Sequence, residues 1–487
     1  NAYDGKPMDI NPILRSLVID KWGGKLISTD GGAVHLMVQQ FKIFPDQKAA
    51  VLACLKAGIN QFLDTYKPET KELIQEGKFT ESELDDLVRP KLQVSLELGL
   101  LDPTDMVPYS KIKDSPEPWN TEEDRAVSKQ MALESIVLLK NAKSFLPLKK
   151  DSLKSIAVIG PLADVVQWDW YGGTPPYKIT PLDGIKTAVG PNVTVNYAKD
   201  NTDGAAVKAA KESDVALVFV GNTEPMCGKT KGVWLPNSST PPCPYPSEGR
   251  EGRDRSSITL EQEALVKQVH AANPRTVLVL VSSYPYAILW SQKHLPAILH
   301  MADSSQDEGT ALAEVVFGDY NPGGHLTQTW PASISQEPPI DDYNIRDGRT
   351  YMYFKGKPLY PFGYGLSYTT FRFSNIRTST PSLTKDGTIM VSVDVTNTGL
   401  RQGDAVAQLY VKHMKSKVQR PKEELEGFKR VSLAPGETKT VQIPLKASQL
   451  AYWDVKQNGF KVENEPVKLM IGDSSADIKL TKTIQVD

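Results

Sequence analysis

Two segments of this sequence carry acidic residues in a setting that suits catalysis. Asp30 follows the β-like run Lys25–Thr29 and precedes Gly31 and Gly32. Adjacent glycines let the backbone turn sharply and bring a small molecule close to the carboxylate. Farther along, the segment Ser247–Arg255 contains three acidic residues and three arginines. An aspartate at a strand end is a candidate nucleophile, and a glutamate in such a loop is a candidate general acid.

The candidate acids are Glu251 and, in reserve, Glu248. Neighbouring arginines lower the pKa of a carboxyl group, so a glutamate that acts as an acid here must be partly buried or turned away from them. Both segments also have a non-catalytic interpretation. Asp30 could cap the following helix or turn the chain, and the charged loop could be a solvated set of ion pairs.

Other catalytic motifs are absent from the sequence. No glycine-rich dinucleotide or nucleotide-phosphate motif, paired zinc-binding histidines or Cys-x-x-Cys occurs, and the six histidines are scattered without metal-ligand spacing. We therefore expect no metal, nucleotide or flavin cofactor. Aromatic residues cluster at Trp168–Tyr171 and Tyr351–Phe354, where flat rings could stack on sugar faces, although core packing is the more common role of such clusters.

The composition excludes several classes of protein. The 487 residues are 40% hydrophobic and 23% charged with a net charge of −2, which is typical of packed domains and supplies no basic field for nucleic acid or an anionic membrane. No apolar run reaches the roughly 18 residues that a membrane-spanning helix needs. The first residue is Asn1, so we expect that any targeting peptide lies upstream.

Three cysteines are too few for a disulfide scaffold. Cys54 lies in an apolar helical pattern, which predicts a buried, inert thiol. Cys227 and Cys243 flank one proline-rich loop, where they could form a bridge or remain free thiols. A bridge would favour an oxidising compartment.

The elements that must position the two acids change in type along the chain. Near-continuous apolar runs alternate with helical patterns such as Gly204–Glu212 and Leu260–Ala272, which predicts a doubly wound parallel sheet covered by helices on both faces. These runs are Ser155–Ile159, Asp214–Val220, Thr276–Val281 and Pro296–Leu299.

The two ends of the chain have different patterns. Near the start, the run that leads to Asp30 is followed by helical spacing over Asp46–Leu63 and Glu81–Leu98, as at the edge of an α/β barrel. A helix is expected to begin near Thr121. After Pro361, alternating strands predict a β-sandwich. The expected organisation is part of a barrel (1–102), a linker (103–120), an α/β sandwich (121–345), a second linker (346–372) and a β-sandwich (373–487).

Several ordered motifs together resemble glycoside hydrolase family 3, whose members include retaining exo-acting β-glycosidases. The resemblance covers essentially the whole chain. The motifs are Asp20–Gly23 leading to Ser28–Asp30, Ala132–Asn141 with Leu146–Leu148, Ile156–Pro161, Thr180–Ile185, Glu251–Arg255, Phe317–Gly324, Tyr360–Tyr368, and Glu424–Phe428 before Pro435–Glu437.

The resemblance implies the C-terminal part of a (β/α)8 barrel, an α/β sandwich and a fibronectin-type-III-like domain. It implies Asp30 as the nucleophile and Glu251 as the acid/base, with Glu248 in reserve. The expected activity is release of terminal β-D-glucosyl residues from oligosaccharides or aryl glycosides. The alternatives are β-xylosidase activity and a non-catalytic carbohydrate-binding or assembly role.

The sequence departs from the family pattern in two places. Many relatives have Ser-Asp-Trp at the nucleophile, whereas this chain has Thr29-Asp30-Gly31 and so lacks that aromatic wall. The family barrel also needs further strands ahead of Asn1. We therefore expect a fragment of a precursor, inactive alone, whose partner is the N-terminal barrel fragment. A periplasmic or extracellular location is expected, and the oligomeric state stays open, a homo-oligomer included.

Overall fold

The computed structural model describes residues 2–3, 5–113, 117–166, 174–222, 245–248, 255–302 and 306–487. The chain divides into two compact units. Among the described residues, the first comprises those up to residue 118 and the second comprises those from residue 119 onward.

The first unit is mainly helical around a small apolar core. It opens with an antiparallel pair of two-residue strands, and a six-residue π-helical segment follows at Leu14–Ile19. Its elements are β1 (Ala2–Tyr3), β2 (Lys6–Pro7), α1 (Ala33–Gln39), α2 (Gln47–Ala57), α3 (Lys67–Gln75) and α4 (Glu81–Glu97).

Local sequence explains where these helices begin and end. Asp46 caps α2 by accepting the Ala49 N–H, and α2 ends at Gly58 with φ +100°. Thr80 and Glu83 form a capping box at the start of α4. The prediction of helical structure up to Leu63 was therefore too long, because Gly58 ends the helix in a left-handed conformation. Cys54 is fully buried in this core, and burial raises its pKa to about 12.

The second unit begins with the predicted helix and continues into a six-stranded α/β sheet. Thr121 and Asp124 form a capping box at the first turn of α5, as the sequence predicted. The elements of this part are α5 (Glu122–Ser135), β3 (Val137–Asn141), β4 (Ser155–Ile159), α6 (Pro181–Val189), β5 (Thr194–Ala198), α7 (Ala205–Lys211), β6 (Val215–Gly221), α8 (Glu263–Ala272), β7 (Thr276–Val281), α9 (Leu289–His294), β8 (Ala297–Met301), α10 (Glu308–Phe317) and α11 (Thr350–Tyr353).

The strand order in this sheet is β3-β8-β7-β6-β4-β5. All neighbours are parallel except β3, which pairs antiparallel with β8 at one edge. The sequence predicted four of the strands in a parallel sheet, whereas the edge strand β5 and the antiparallel strand β3 were not predicted. Apolar clusters cover both faces, which confirms the doubly wound class.

The remaining chain forms a β-sandwich with alternating buried and exposed residues. Its main sheets have the orders β10-β18-β17-β12-β13 and β14-β11-β9, and β15 pairs with β16 in a separate hairpin. The strands are β9 (Phe371–Thr378), β10 (Ser382–Leu383), β11 (Thr388–Asn397), β12 (Gly403–His413), β13 (Glu424–Leu433), β14 (Thr438–Lys446), β15 (Tyr452–Asp454), β16 (Gly459–Lys461), β17 (Pro466–Ser474) and β18 (Asp477–Val486).

Candidate active site

The segment that leads to Asp30 is extended and, among the described residues, forms one β-bridge to a neighbouring segment. Ser28 makes a parallel bridge with Gln61, and the Thr29 N–H donates to the Gln61 carbonyl at 3.1 Å. Asn60 strengthens the pairing, because its side-chain oxygen accepts the Ile27 N–H at 2.9 Å. The predicted strand is therefore an extended segment that lies parallel to a second one.

Thr29 anchors the end of this segment. Its side chain is buried at 3% exposure, and its hydroxyl accepts the Leu63 N–H at 3.1 Å. The residue before the candidate nucleophile is thus fixed to the neighbouring extended segment. This contact holds the Asp30 backbone at the carboxyl end of both segments, where α/β barrels carry their active sites.

Asp30 itself is exposed. Its carboxylate Oδ1 accepts the N–H of Gly31 at 2.8 Å. The helix cap is Gly32, with φ +68°, rather than Asp30. The side chain therefore stabilises the turn after the extended segment, does not cap α1, and leaves Oδ2 without a hydrogen bond among those the structure describes.

Asp64 is a functional candidate that the sequence analysis missed. It follows the second extended segment, and its Oδ2 accepts the Gly32 N–H at 2.6 Å and the Tyr66 hydroxyl at 3.1 Å. Burial raises the pKa of Tyr66, and the Asp64 charge adds to this effect. Asp64 thus fixes the glycine turn that follows Asp30. The only sequence signal was an acidic residue after an apolar run.

Asp9 is a second carboxyl group that responds to Asp30. It lies in a short 3₁₀ turn, Met8–Ile10. Its pKa is raised mainly by burial, with a further contribution from the negative charge of Asp30. No sequence pattern indicated this residue.

In the second unit, the sheet order identifies the edge where a ligand is expected. The chain enters the parallel sheet at β4, goes outward to β5, and then reverses direction to β6 and β7. Open α/β sheets bind ligands beyond the carboxyl ends of the strands at such a reversal. The segment with Glu248 and Glu251 follows β6, one of the two strands at this point.

Glycines make close packing possible at the same edge. Gly221 has φ +155°, and a Cβ there would lie 1.6 Å from the Val281 carbonyl oxygen. Gly160 has φ +120°, and a Cβ there would lie 2.1 Å from the carbonyl oxygen of Phe219. Both strand ends therefore require glycine, and the backbone around the reversal is closely packed.

Glu248 is buried at 1% exposure. Its N–H donates to the Tyr245 carbonyl at 3.2 Å, and Ser256 N–H donates to the Pro246 carbonyl at 3.1 Å. Burial raises the pKa of Tyr286, and the charge of Glu248 contributes to that shift. Glu248 is therefore buried near Tyr286 and does not lie on a solvated surface.

Arg255 holds the other end of this loop. Its guanidinium lies 4.1 Å from the ring centroid of Tyr284 and 4.7 Å from that of Tyr286, and its Nε donates to the Ser247 carbonyl. Burial lowers the pKa of Arg255. Cation–π contacts of a desolvated arginine contribute on the order of 2 kcal/mol, so the loop ends are firmly anchored.

Several predicted residues have other outcomes. Glu251, Cys227, Cys243 and the aromatic residues 168–171 lie outside the described residues. In the other aromatic cluster, Tyr351 stacks on Phe362 at 4.3 Å between centroids, and Phe354 is 4% exposed. Phe354 is thus buried, whereas Tyr351, Met352 and Tyr353 are half-buried, and the cluster contributes to packing. Asp30 belongs to the first unit and Glu248 to the second.

Within the described residues, no group of three or more acidic, histidine or cysteine side chains is arranged to hold a metal ion. A search of the same residues for a helix of sufficient length and apolar character to cross a membrane found none.

Comparison with known proteins identifies the family. The profile of the glycosyl hydrolase family 3 C-terminal domain matches residues 136–368, and that of the fibronectin type III-like domain matches residues 405–475. A periplasmic β-glucosidase of Salmonella typhimurium is 33% identical over 98% of this chain, and a β-xylosidase of Formosa agariphila is 33% identical over 92%. The chain spans 66% and 63% of the lengths of these two relatives.

Solved structures of two β-glucosidases are also similar to this chain. A β-glucosidase from Erythrobacter marinus superimposes with a TM-score of 0.80 at 26% identity, covering 99% of this chain and 66% of that one. A family 3 β-glucosidase from Bifidobacterium adolescentis gives 0.74 at 26% identity, with 99% and 68% coverage. The chain belongs to glycoside hydrolase family 3. This confirms the resemblance and the predicted fold class, in which part of a barrel precedes an α/β sandwich and a fibronectin-type-III-like domain.

Proposed function

We propose that this chain forms most of a retaining exo-β-glycosidase that releases terminal non-reducing β-D-glucosyl residues from oligosaccharides or aryl glycosides. Asp30 is the nucleophile and Glu251 the general acid/base, with Glu248 as the alternative acid. The observation that carries the proposal is the exposed Asp30 carboxylate at the carboxyl end of paired extended segments, in a chain of this family. Relatives named β-glucosidase support the choice of glucose.

In this mechanism the two acids begin in opposite protonation states. The Asp30 carboxylate attacks the anomeric carbon while the bond to the leaving oxygen breaks and Glu251 gives that oxygen its proton. The Glu251 carboxylate then takes a proton from water, which attacks the anomeric carbon and releases Asp30. A retaining pair requires carboxyl groups roughly 5–5.5 Å apart in the assembled site.

The immediate surroundings of Asp30 suit the role of nucleophile. One carboxylate oxygen accepts the Gly31 N–H, which orients the group. Thr29 and Asp64 fix the backbone on either side of it. The side chain therefore combines exposure with a fixed direction, as attack on a bound sugar requires.

A partner polypeptide is part of the proposal. The extended segments around Ser28 and Gln61 share a single bridge. One side of α4 exposes Val88, Leu92 and Leu96, which are spaced four residues apart and are 37%, 52% and 57% exposed. Such an apolar stripe needs a covering element. The N-terminal part of the barrel is the proposed cover, and without it the site is incomplete and inactive.

β-Xylosidase activity is the second candidate, because relatives of similar identity carry that name. A periplasmic or extracellular location is proposed from the relative named periplasmic β-glucosidase. A non-catalytic carbohydrate-binding role is the remaining alternative. Initial rates on a panel of aryl β-glucosides and β-xylosides separate the three.

Two substitutions in the complete protein, with its N-terminal barrel part present, test the catalytic assignment. Asp30→Asn is expected to abolish turnover, because no glycosyl intermediate can form. Glu251→Gln is expected to slow substrates with poor leaving groups by about 10²–10⁴-fold and activated aryl glycosides much less. Asp85→Asn, at an exposed position on α4, is the matched control and should keep full activity.

Near-normal turnover by Asp30→Asn removes this residue from the mechanism. If Glu251→Gln loses turnover equally on both substrate classes, and Glu248→Gln loses it selectively on substrates with poor leaving groups, the acid/base role belongs to Glu248.

A further inference from the structure

The hairpin of β15 and β16 in the β-sandwich has two unlike sides. Trp453 is paired directly with Phe460, and Tyr452 with Lys461. Because side chains alternate along a strand, the first pair lies on one side of the hairpin and the second pair on the other. The side with Tyr452 and Lys461 is half-buried, whereas Trp453 and Phe460 are exposed.

Polar contacts fix the half-buried side to the domain. The Arg420 guanidinium lies 5.0 Å from the Tyr452 ring centroid and donates to the Leu450 carbonyl at 3.0 Å. Within the hairpin, Lys461 forms an ion pair with Asp454 at 3.4 Å. The contacts of Arg420 hold the Tyr452 side against the domain, so the aromatic pair lies on the outward side.

The outward side is aromatic. Trp453 is 49% exposed and Phe460 is 78% exposed, and their rings meet edge to face with centroids 5.2 Å apart. This arrangement is a favourable aromatic pair. It restrains both rings while leaving ring surface open to solvent. Neither residue belongs to the apolar core of the sandwich.

The size of this surface favours a sugar over a protein. Each aromatic side chain offers roughly 150–250 Å² of contact area, so the pair supplies at most about 500 Å². A stable protein interface needs about 800 Å² per partner. A single pyranose ring matches the smaller area, because its C–H face carries partial positive charge and is attracted to the negative face of an aromatic ring.

The turn beside the rings supplies polar groups. Residues 455–458 connect the two strands, and Lys456, Gln457 and Asn458 are exposed there. Their ammonium and amide groups can donate hydrogen bonds to hydroxyls. We propose that the Trp453–Phe460 surface is a binding site for a neutral sugar unit of a polysaccharide. The site would hold a polymeric glycan and takes no part in bond cleavage.

Affinity electrophoresis of the complete protein tests this site. Native gels that contain soluble β-glucan or xylan should retard the unsubstituted protein relative to a gel without polysaccharide. Trp453→Ala should raise the dissociation constant for the polysaccharide about tenfold, which corresponds to about 1.4 kcal/mol of binding free energy. Trp453→Phe should restore part of the retardation. Phe428→Ala, at a 65% exposed aromatic residue on β13, is the matched control and should bind like the unsubstituted protein.

Three results would overturn the proposal: no retardation of the unsubstituted protein in either gel, equal retardation of Trp453→Ala, or equal loss in Phe428→Ala. Light scattering after size exclusion gives a further check, since a dimer that Trp453→Ala dissociates would assign the surface to a second copy of the chain. The site is independent of the proposed catalysis. Asp30→Asn should bind polysaccharide normally, and Trp453→Ala should hydrolyse aryl glycosides normally.

Discussion

Asp64→Ala should disturb the Asp30 turn from a position outside it. The substitution removes the acceptor of two hydrogen bonds, from the Gly32 N–H at 2.6 Å and from the Tyr66 hydroxyl at 3.1 Å. Hydrogen bonds to a charged group contribute about 1.5–3 kcal/mol each, and a buried donor without a partner carries a further cost. Since Asp64 is half-exposed, we expect a local destabilisation of about 2–4 kcal/mol.

The expected effect of Asp64→Ala on catalysis follows from the displacement of Asp30. A displacement of about 1 Å in a reacting group can lower the rate on the order of 100-fold, so kcat/KM should fall by about that factor in Asp64→Ala. Asp64→Asn keeps an oxygen that can accept the Gly32 N–H and should lose less. Tyr66→Phe removes only the weaker contact and should have the smallest effect.

Two measurements on the complete protein test this ordering. Hydrogen exchange followed by mass spectrometry should show faster exchange in the peptide that contains Gly32, with Asp64→Ala fastest and Tyr66→Phe slowest. Initial rates on an aryl β-glucoside should fall in the same order. Unchanged exchange together with unchanged kcat/KM in Asp64→Ala would refute the idea that Asp64 fixes the turn after Asp30.

Two further predictions concern stability. Burial of His300 lowers its pKa to about 4, below the ordinary value of about 6.5. The contribution of the neutral side chain to the free energy of unfolding is therefore present above pH 6.5 and is lost as the pH falls towards 4, by up to about 3 kcal/mol. Between pH 7 and pH 4.5 the melting temperature should fall less in His300→Gln than in the unsubstituted protein, and equal falls would contradict this. A Cβ on Gly184 would lie 2.0 Å from the Gly309 carbonyl oxygen, whereas one on Gly459 meets nothing closer than 3.9 Å. Gly184→Ala should therefore lower the free energy of unfolding by about 1–3 kcal/mol or more, while Gly459→Ala should change it by less than about 1 kcal/mol. Urea titrations measure both variants, and similar midpoints for the two would contradict the close approach of the two helices.

The sequence predicted the interior of the α/β sheet because its strands are buried on both faces. Runs such as Thr276–Val281 are almost wholly apolar, and that pattern is typical of a parallel strand covered by helices on each side. The edge strand Thr194–Ala198 is partly exposed and gave no such signal. The direction of β3 was also not predictable, since pairing direction depends on which strand lies beside it.

The candidate site was predicted only in part, for a related reason. Asp30 was recognisable from the adjacent glycines and the family motif, both of which are local. Asp64 acts on Gly32, which is 32 residues away in sequence, and Asp9 responds to Asp30 across 21 positions. Long-range contacts of this kind arise from folding and leave no pattern within either segment.

The covalent glycosyl intermediate gives the most direct test of the account. The complete protein is incubated with a 2-deoxy-2-fluoro-β-D-glucoside that has an activated leaving group, then digested with pepsin and analysed by tandem mass spectrometry. The account predicts a single sugar adduct on the peptide that contains Asp30, formed at the rate at which activity is lost. Inactivation with the adduct on another residue, or turnover by inversion with no adduct, would contradict it.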